Sequence, residues 1–169
     1  MKAIAYLGGL FGLIVTPADA AETLCKQQEQ VIFSCSLSKK TVSVCASKDF
    51  SVSNGYLQYR FGQKGNIELN LPAVPQSTPN AQFVRARTLM FSGGGGGYLR
   101  FINGPYHYIV YTAIGKGWGP KDGVAVEKSG RLIANYECRD IPVSEIGEAL
   151  ITRAGLAIDQ SEFEIPGIE

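Results

Sequence analysis

The residues able to do chemistry are few and far apart. His107 is the single histidine, and it sits among tyrosines in the strand-like run YHYIVY. No carboxylate pair, GxSxG elbow, HExxH helix or Cys–His couple accompanies it, so neither an acid–base dyad nor an activated nucleophile can be assembled from local spacing. A lone strand histidine usually serves structure, and the expectation is a protein that is not an enzyme and needs no cofactor. Zinc is equally ill served, because there is no CxxC pair and His107 lies far from the cysteines.

Three clusters point instead to binding. The first is FSGGGGGYLRF, Phe91 to Phe101, with five consecutive glycines, Gly93 to Gly97. A phosphate cradle would need a helix to follow, whereas Tyr98-Leu99-Arg100-Phe101 reads as a strand. The run is expected to form a loose hairpin tip, either a plain connection or an adaptable loop that enters a partner's cleft. The second cluster is aromatic: Tyr106, Tyr108, Tyr111 and Trp118, with Lys116 and Trp118 held among glycines in GKGWG. Tyr106 and Tyr108 share one strand face, while His107 and Tyr111 share the other. Such a group composes either a binding patch or a β core. The third is basic: Arg85 and Arg87 lie on one face, with Arg100 on the expected partner strand, an arrangement that suits carboxylates or simply a solvated sheet.

The elements that position these residues are strands. Segments 31–37, 41–47, 56–61, 65–70, 81–91, 97–103, 106–114, 122–127 and 130–138 are β-rich and separated by Gly, Pro, Asn and Ser turns. An all-β fold is expected, mainly an antiparallel barrel or sandwich of about nine strands. The Pro-rich stretch Leu71 to Asn80 reads as an extended connection. After Cys138, Ser144 reads as an N-cap, Glu145 and Glu148 as first-turn acids, and Gly155 as the stop of one helix near 144–153. The acidic tail IDQSEFEIPGIE is expected to be partly loose.

MKAIAYLGGLFGLIVTPADA has a positive start, an uncharged apolar run and a small-x-small site at Ala18-Asp19-Ala20. This is the pattern of a secretory leader, too short to span a bilayer, and residues 21–169 are expected in the periplasm or outside the cell as a single domain. The net charge of +1 argues against nucleic acid as a partner, and no later segment is apolar enough to span a membrane.

An exported chain with four cysteines should carry two disulfides. Alternation along the strands turns Cys35 and Cys138 inward and Cys45 outward. The expected pairs are Cys35–Cys138, tying the last long strand to the first, and Cys25–Cys45, pinning the N-terminal segment over the opening hairpin.

With these residues in place, the layout resembles the bacterial periplasmic inhibitors of c-type lysozyme. The likeness lies in Cys35 on an early strand, Ser92-Gly93 followed by Tyr98, the GKGW turn from Gly115 to Trp118, and GVAVEKSGRLIANYEC from Gly123 to Cys138. The glycine run and the C-terminal helix stand outside it. The resemblance implies a small exported β-barrel that inserts a loop serine and a later lysine into the enzyme's acidic cleft, here Ser92 and Lys116.

The expected function is therefore an exported binding or inhibitor protein. Its target would be a cell-wall-degrading enzyme or a secreted toxic effector, the latter making it an immunity protein. The expected contact residues are Ser92, Gly93, Gly94, Gly95, Gly96, Gly97, Tyr98, Arg100, Tyr106, Tyr108, Lys116 and Trp118. The alternatives are an envelope assembly subunit and a carbohydrate-binding module, in which Trp118 and the tyrosines stack on sugars; peptidoglycan is then the partner.

Overall fold

A computed structural model describes residues 22–75 and 83–168. The expected leader at 1–20, the Pro-rich stretch beyond residue 75 and the expected strand start at Ala81 and Gln82 lie outside the described residues.

The described residues are mostly β, with one short helix. Nine long strands run in order: β1 (Glu29–Leu37), β2 (Lys40–Ser47), β3 (Leu57–Gln63), β4 (Asn66–Leu71), β5 (Val84–Phe91), β6 (Gly94–Asn103), β7 (Tyr106–Gly115), β8 (Gly119–Lys128) and β9 (Arg131–Glu137). A two-residue strand β10 (Val143–Ser144), helix α1 (Glu148–Ala154) and a two-residue strand β11 (Ala157–Ile158) follow. The strands form two sheets, β10-β1-β2-β3-β4 and β11-β5-β6-β7-β8-β9. The sheets do not close into a barrel; they are stacked like a sandwich. All neighbours are antiparallel except β11, which runs parallel to β5.

Period-two alternation decides what each strand buries. Phe33, Cys35 and Leu37 from β1, Val42, Val44 and Ala46 from β2, and Leu57 and Tyr59 from β3 face Val84 and Ala86 from β5, Leu99 and Phe101 from β6, and Val110 and Val124. Burial of each large apolar side chain contributes about 1.5–3 kcal/mol. Cys35–Cys138 crosses this layer, and Cys25–Cys45 lies on the opposite face of the first sheet. Both pairings are those expected from facing.

The helix starts later than expected. Val143 and Ser144 pair with Ser34 and Phe33 at the edge of β1, and the Glu145 amide donates to the Ile32 carbonyl. The open β1 edge satisfies backbone groups that a helix beginning at Ser144 would have left unpaired. Gly147 precedes α1 without a side-chain cap, and Gly155 in the left-handed conformation closes it.

Each sheet's outer face is covered by an end of the described chain. Over the first sheet, Leu24 is buried, its amide donates to Ser43 Oγ at 3.0 Å, and its carbonyl accepts from Arg60 Nη1 at 2.9 Å. Arg60 grips both oxygens of Glu29 at 2.7 Å in a buried bidentate pair. Burial pushes the Glu29 carboxyl up, but hydrogen bonds from Arg60, Tyr56 and the Lys26 amide outweigh it and hold Glu29 below its ordinary value.

Candidate functional site

The glycine run is strand, not loop. β5 and β6 are joined by Ser92 and Gly93 alone: Phe91 pairs with Gly94, and Met90 with Gly95. Gly93 takes the left-handed conformation the turn needs (φ 77°). Gly94 to Gly97 then continue as the middle strand between β5 and β7. The expected loose tip is thus corrected to a two-residue turn. Its cause is close packing. A Cβ on Gly96 would lie 2.6 Å from the Ala113 Cβ, and one on Gly115 would lie 2.2 Å from the Trp118 ring. Glycine lets Trp118 fold down and meet Phe91 edge-on, with centroids 5.5 Å apart at 84°.

On the other face, Gly95 stands in register between Met90 and Ile114, and Gly97 between Thr88 and Thr112. The middle strand offers no side chain there. Met90 is 93% exposed and Ile114 60% exposed, so two apolar side chains flank a bare glycine backbone.

The two hairpin turns of this end meet. A Cβ on Gly93 would lie 2.9 Å from the Lys116 Cβ and 3.6 Å from its Cδ, so the lysine stem crosses the Ser92–Gly93 turn. Ser92, Gly93, Lys116 and Gly117 are all exposed, and Trp118 is half-buried beside them. The structure therefore brings together Ser92, Gly93, Lys116 and Trp118, and it adds Met90 and Ile114. Those two were legible only if Gly94 to Gly97 were read as strand, because alternation then puts Met90, Gly95 and Ile114 on one face.

Tyr98 and Arg100 belong elsewhere. Both point to the outer face of the second sheet and are buried, at 0% and 2% exposure, so neither is a surface contact as placed. Arg100 Nε donates to Asp159 Oδ2 at 2.6 Å, its Nη1 donates to Glu127, and the same nitrogen lies 3.3 Å from His107 Nδ1. The Tyr98 hydroxyl donates to Asp159 Oδ2 at 3.0 Å. Burial and the Asp159 carboxylate push the Tyr98 phenol up to about 12. Burial alone would raise Asp159, but the Ser161 amide, Arg100 and Tyr98 hold it below the usual range.

The tail follows this clamp. Phe163 meets Tyr98 edge-on at 5.1 Å and Tyr111 at 5.9 Å, and Ile165 is buried beside Ile109 and Ala125. The tail expected to be loose is packed, since a buried guanidinium requires carboxylates and Asp159 supplies one. The basic cluster is likewise reassigned at Arg100, which faces the protein's own acids. His107 touches this network, 3.6 Å from Glu127 Oε2.

Tyr106 and Tyr108 lie at the opposite end of β7, on the inner face, where the Tyr108 ring meets Tyr59 at a tilt, with centroids 5.5 Å apart. Gly115 lies seven strand steps beyond Tyr108, about 23 Å. The tyrosines and Trp118 therefore do not form one patch. Cys25, Glu29 and Cys45 sit close enough to suggest metal ligands, but the sulfurs are joined to each other and Arg60 takes the carboxylate.

Compared with family models, curated proteins and solved structures, the chain matches none of them.

Proposed function

We propose that this chain is an exported inhibitor that presents the paired turns Ser92–Gly93 and Lys116–Gly117 to the active cleft of a cell-wall-degrading enzyme. The observation that carries the reading is the crossing of the Lys116 stem over Gly93. It joins an exposed hydroxyl and an exposed cation at one end of the sandwich. Glycoside hydrolases work with paired carboxylates, and Lys116 offers the complementary charge. Met90 and Ile114 supply apolar anchors beside it. Ladder pairing on both sides of Gly94 to Gly97 preorganises the tip, which lowers the ordering cost of binding.

Export rests on the leader-like residues 1–20 and on two disulfides, which persist in oxidising compartments. No helix among the described residues is long and apolar enough to cross a membrane.

The test is inhibition of peptidoglycan lysis by c-type lysozyme. The oxidised protein should slow lysis at near-stoichiometric ratio. Lys116→Ala and Met90→Asp should each weaken inhibition about tenfold or more, the loss of a central contact. Full lysis in a large excess of the wild-type protein would remove lysozyme as the target. Equal inhibition by Lys116→Ala would remove the tip as the contact.

A further inference from the structure

The end of the sandwich opposite the tip holds a second opening. Between the unpaired edges of β4 and β9 lies a cleft of about 440 Å³, within the size range of small-molecule sites. Its walls are aromatic. The Phe61 and Tyr136 rings stand 6.3 Å apart across the two sheets, those of Tyr59 and Tyr108 meet at a tilt 5.5 Å apart, and Tyr106 borders the opening. Leu69 and Val126 contribute apolar surface.

Tyr59 sets this cleft apart. The other fully buried tyrosines among the described residues have partners: Tyr98 bonds Asp159 and Tyr111 bonds Asn135. Tyr59 is only 1% exposed, and its hydroxyl makes no hydrogen bond within the described residues. Sealed burial of such a group would cost about 1–3 kcal/mol. The oxygen is not sealed, because no fully buried side-chain polar atom lacks a partner among the described residues, and Tyr59 lines the cleft. Burial, then the phenols of Tyr108 and Tyr136, push its ionisation far above the ordinary tyrosine value, so it stays a neutral donor and acceptor.

We infer that this cleft binds an uncharged aromatic small molecule, its ring against the Phe61, Tyr108 and Tyr136 rings and a polar group on the Tyr59 hydroxyl. An anion is disfavoured because the nearby cations are engaged: Lys40 pairs with Glu68 at 2.6 Å and lies over Phe61, and Lys128 lies over Tyr106. A sugar would leave hydroxyls unpaired against Leu69 and Val126. The site is independent of the tip and of any enzyme bound there.

The test is an NMR titration of the oxidised, full-length exported protein with 2-naphthol, run beside cellotriose. Saturable shifts are expected for Tyr59, Tyr108 and Tyr136 with 2-naphthol alone. Ala134→Trp, which fills the cleft from β9, should weaken binding at least about tenfold. Tyr59→Phe should weaken it about two- to tenfold, the worth of one hydrogen bond. Absence of saturation, unchanged affinity in Ala134→Trp, or shifts with cellotriose in place of 2-naphthol would each overturn the inference.

Discussion

Arg100 and Asp159, 59 residues apart in the chain, form a buried ion pair at 2.6 Å that holds the C-terminal segment across the second sheet. Arg60 and Glu29 do the same for the N-terminal segment on the first sheet. In both, an arginine on a central strand points away from the core; the C-terminal segment brings Asp159 to Arg100, whereas Glu29 comes from the start of β1 and Arg60 reaches the N-terminal segment through the Leu24 carbonyl. Removing one partner of such a pair leaves an uncompensated buried charge, which costs about 3–5 kcal/mol. Arg100→Met should therefore lower unfolding free energy by that amount in urea titration. It should also speed amide exchange across residues 157–168. Unchanged exchange there would show that apolar packing of Phe163 and Ile165 holds the segment alone.

The same two carboxylates set an acid limit. Both Glu29 and Asp159 are held below their ordinary values in the folded state. Their stabilisation is complete above the unfolded carboxylate range of about 4 and is lost as pH falls through the lower folded values. Asp122 runs the other way, since burial raises it despite the Thr112 hydroxyl; its term favours the folded state in acid and fades as pH rises. The urea midpoint should stay level from neutrality to about pH 5 and then decline below about pH 4. Asp159→Asn should flatten that decline, and a variant as steep as the parent would show that the acid limit lies elsewhere.

The disulfides should differ in worth. Cys35–Cys138 spans 103 residues and Cys25–Cys45 spans 20. On a chain-entropy account the first contributes about 4–5 kcal/mol and the second about 3 kcal/mol. Paired Cys→Ser replacements followed by denaturant unfolding should show the larger loss for Cys35 and Cys138. The reverse order would mean that the bond over the N-terminal segment is the main restraint.

Glycine identity in β6 matters by position. Gly96→Ala forces a methyl against Ala113 and should cost about 1–3 kcal/mol, as overpacking does. Lys116→Ala, on the exposed turn, should change stability by less than about 0.5 kcal/mol. Thermal unfolding of the two variants checks this, and equal stabilities would contradict the packing account of the glycine run.

What was legible in the sequence was legible through period-two alternation. It turned Cys35 and Cys138 inward and Cys45 outward, which sufficed for both disulfides, and it separated Tyr106 and Tyr108 from His107 and Tyr111. It failed where side chains vanish: Gly94 to Gly97 carry no alternation, so a strand looked like a loop and the Met90–Ile114 face went unseen. It failed again where the partner is remote. The tail's Phe163, Ile165 and Ile168 were an apolar signal within acidic residues, but Arg100, the group that demands Asp159, lies far back in the chain. Ser144 offered a plausible helix cap, yet the vacant edge of β1 was a stronger claim on its backbone.

The most direct measurement is hydrogen exchange of this protein alone and mixed with c-type lysozyme. Slowed exchange confined to residues 90–97 and 112–118 is the predicted result. No complex, or protection at the C-terminal segment or the tyrosine-lined end instead, would contradict the assignment of the Ser92–Lys116 tip as the working surface.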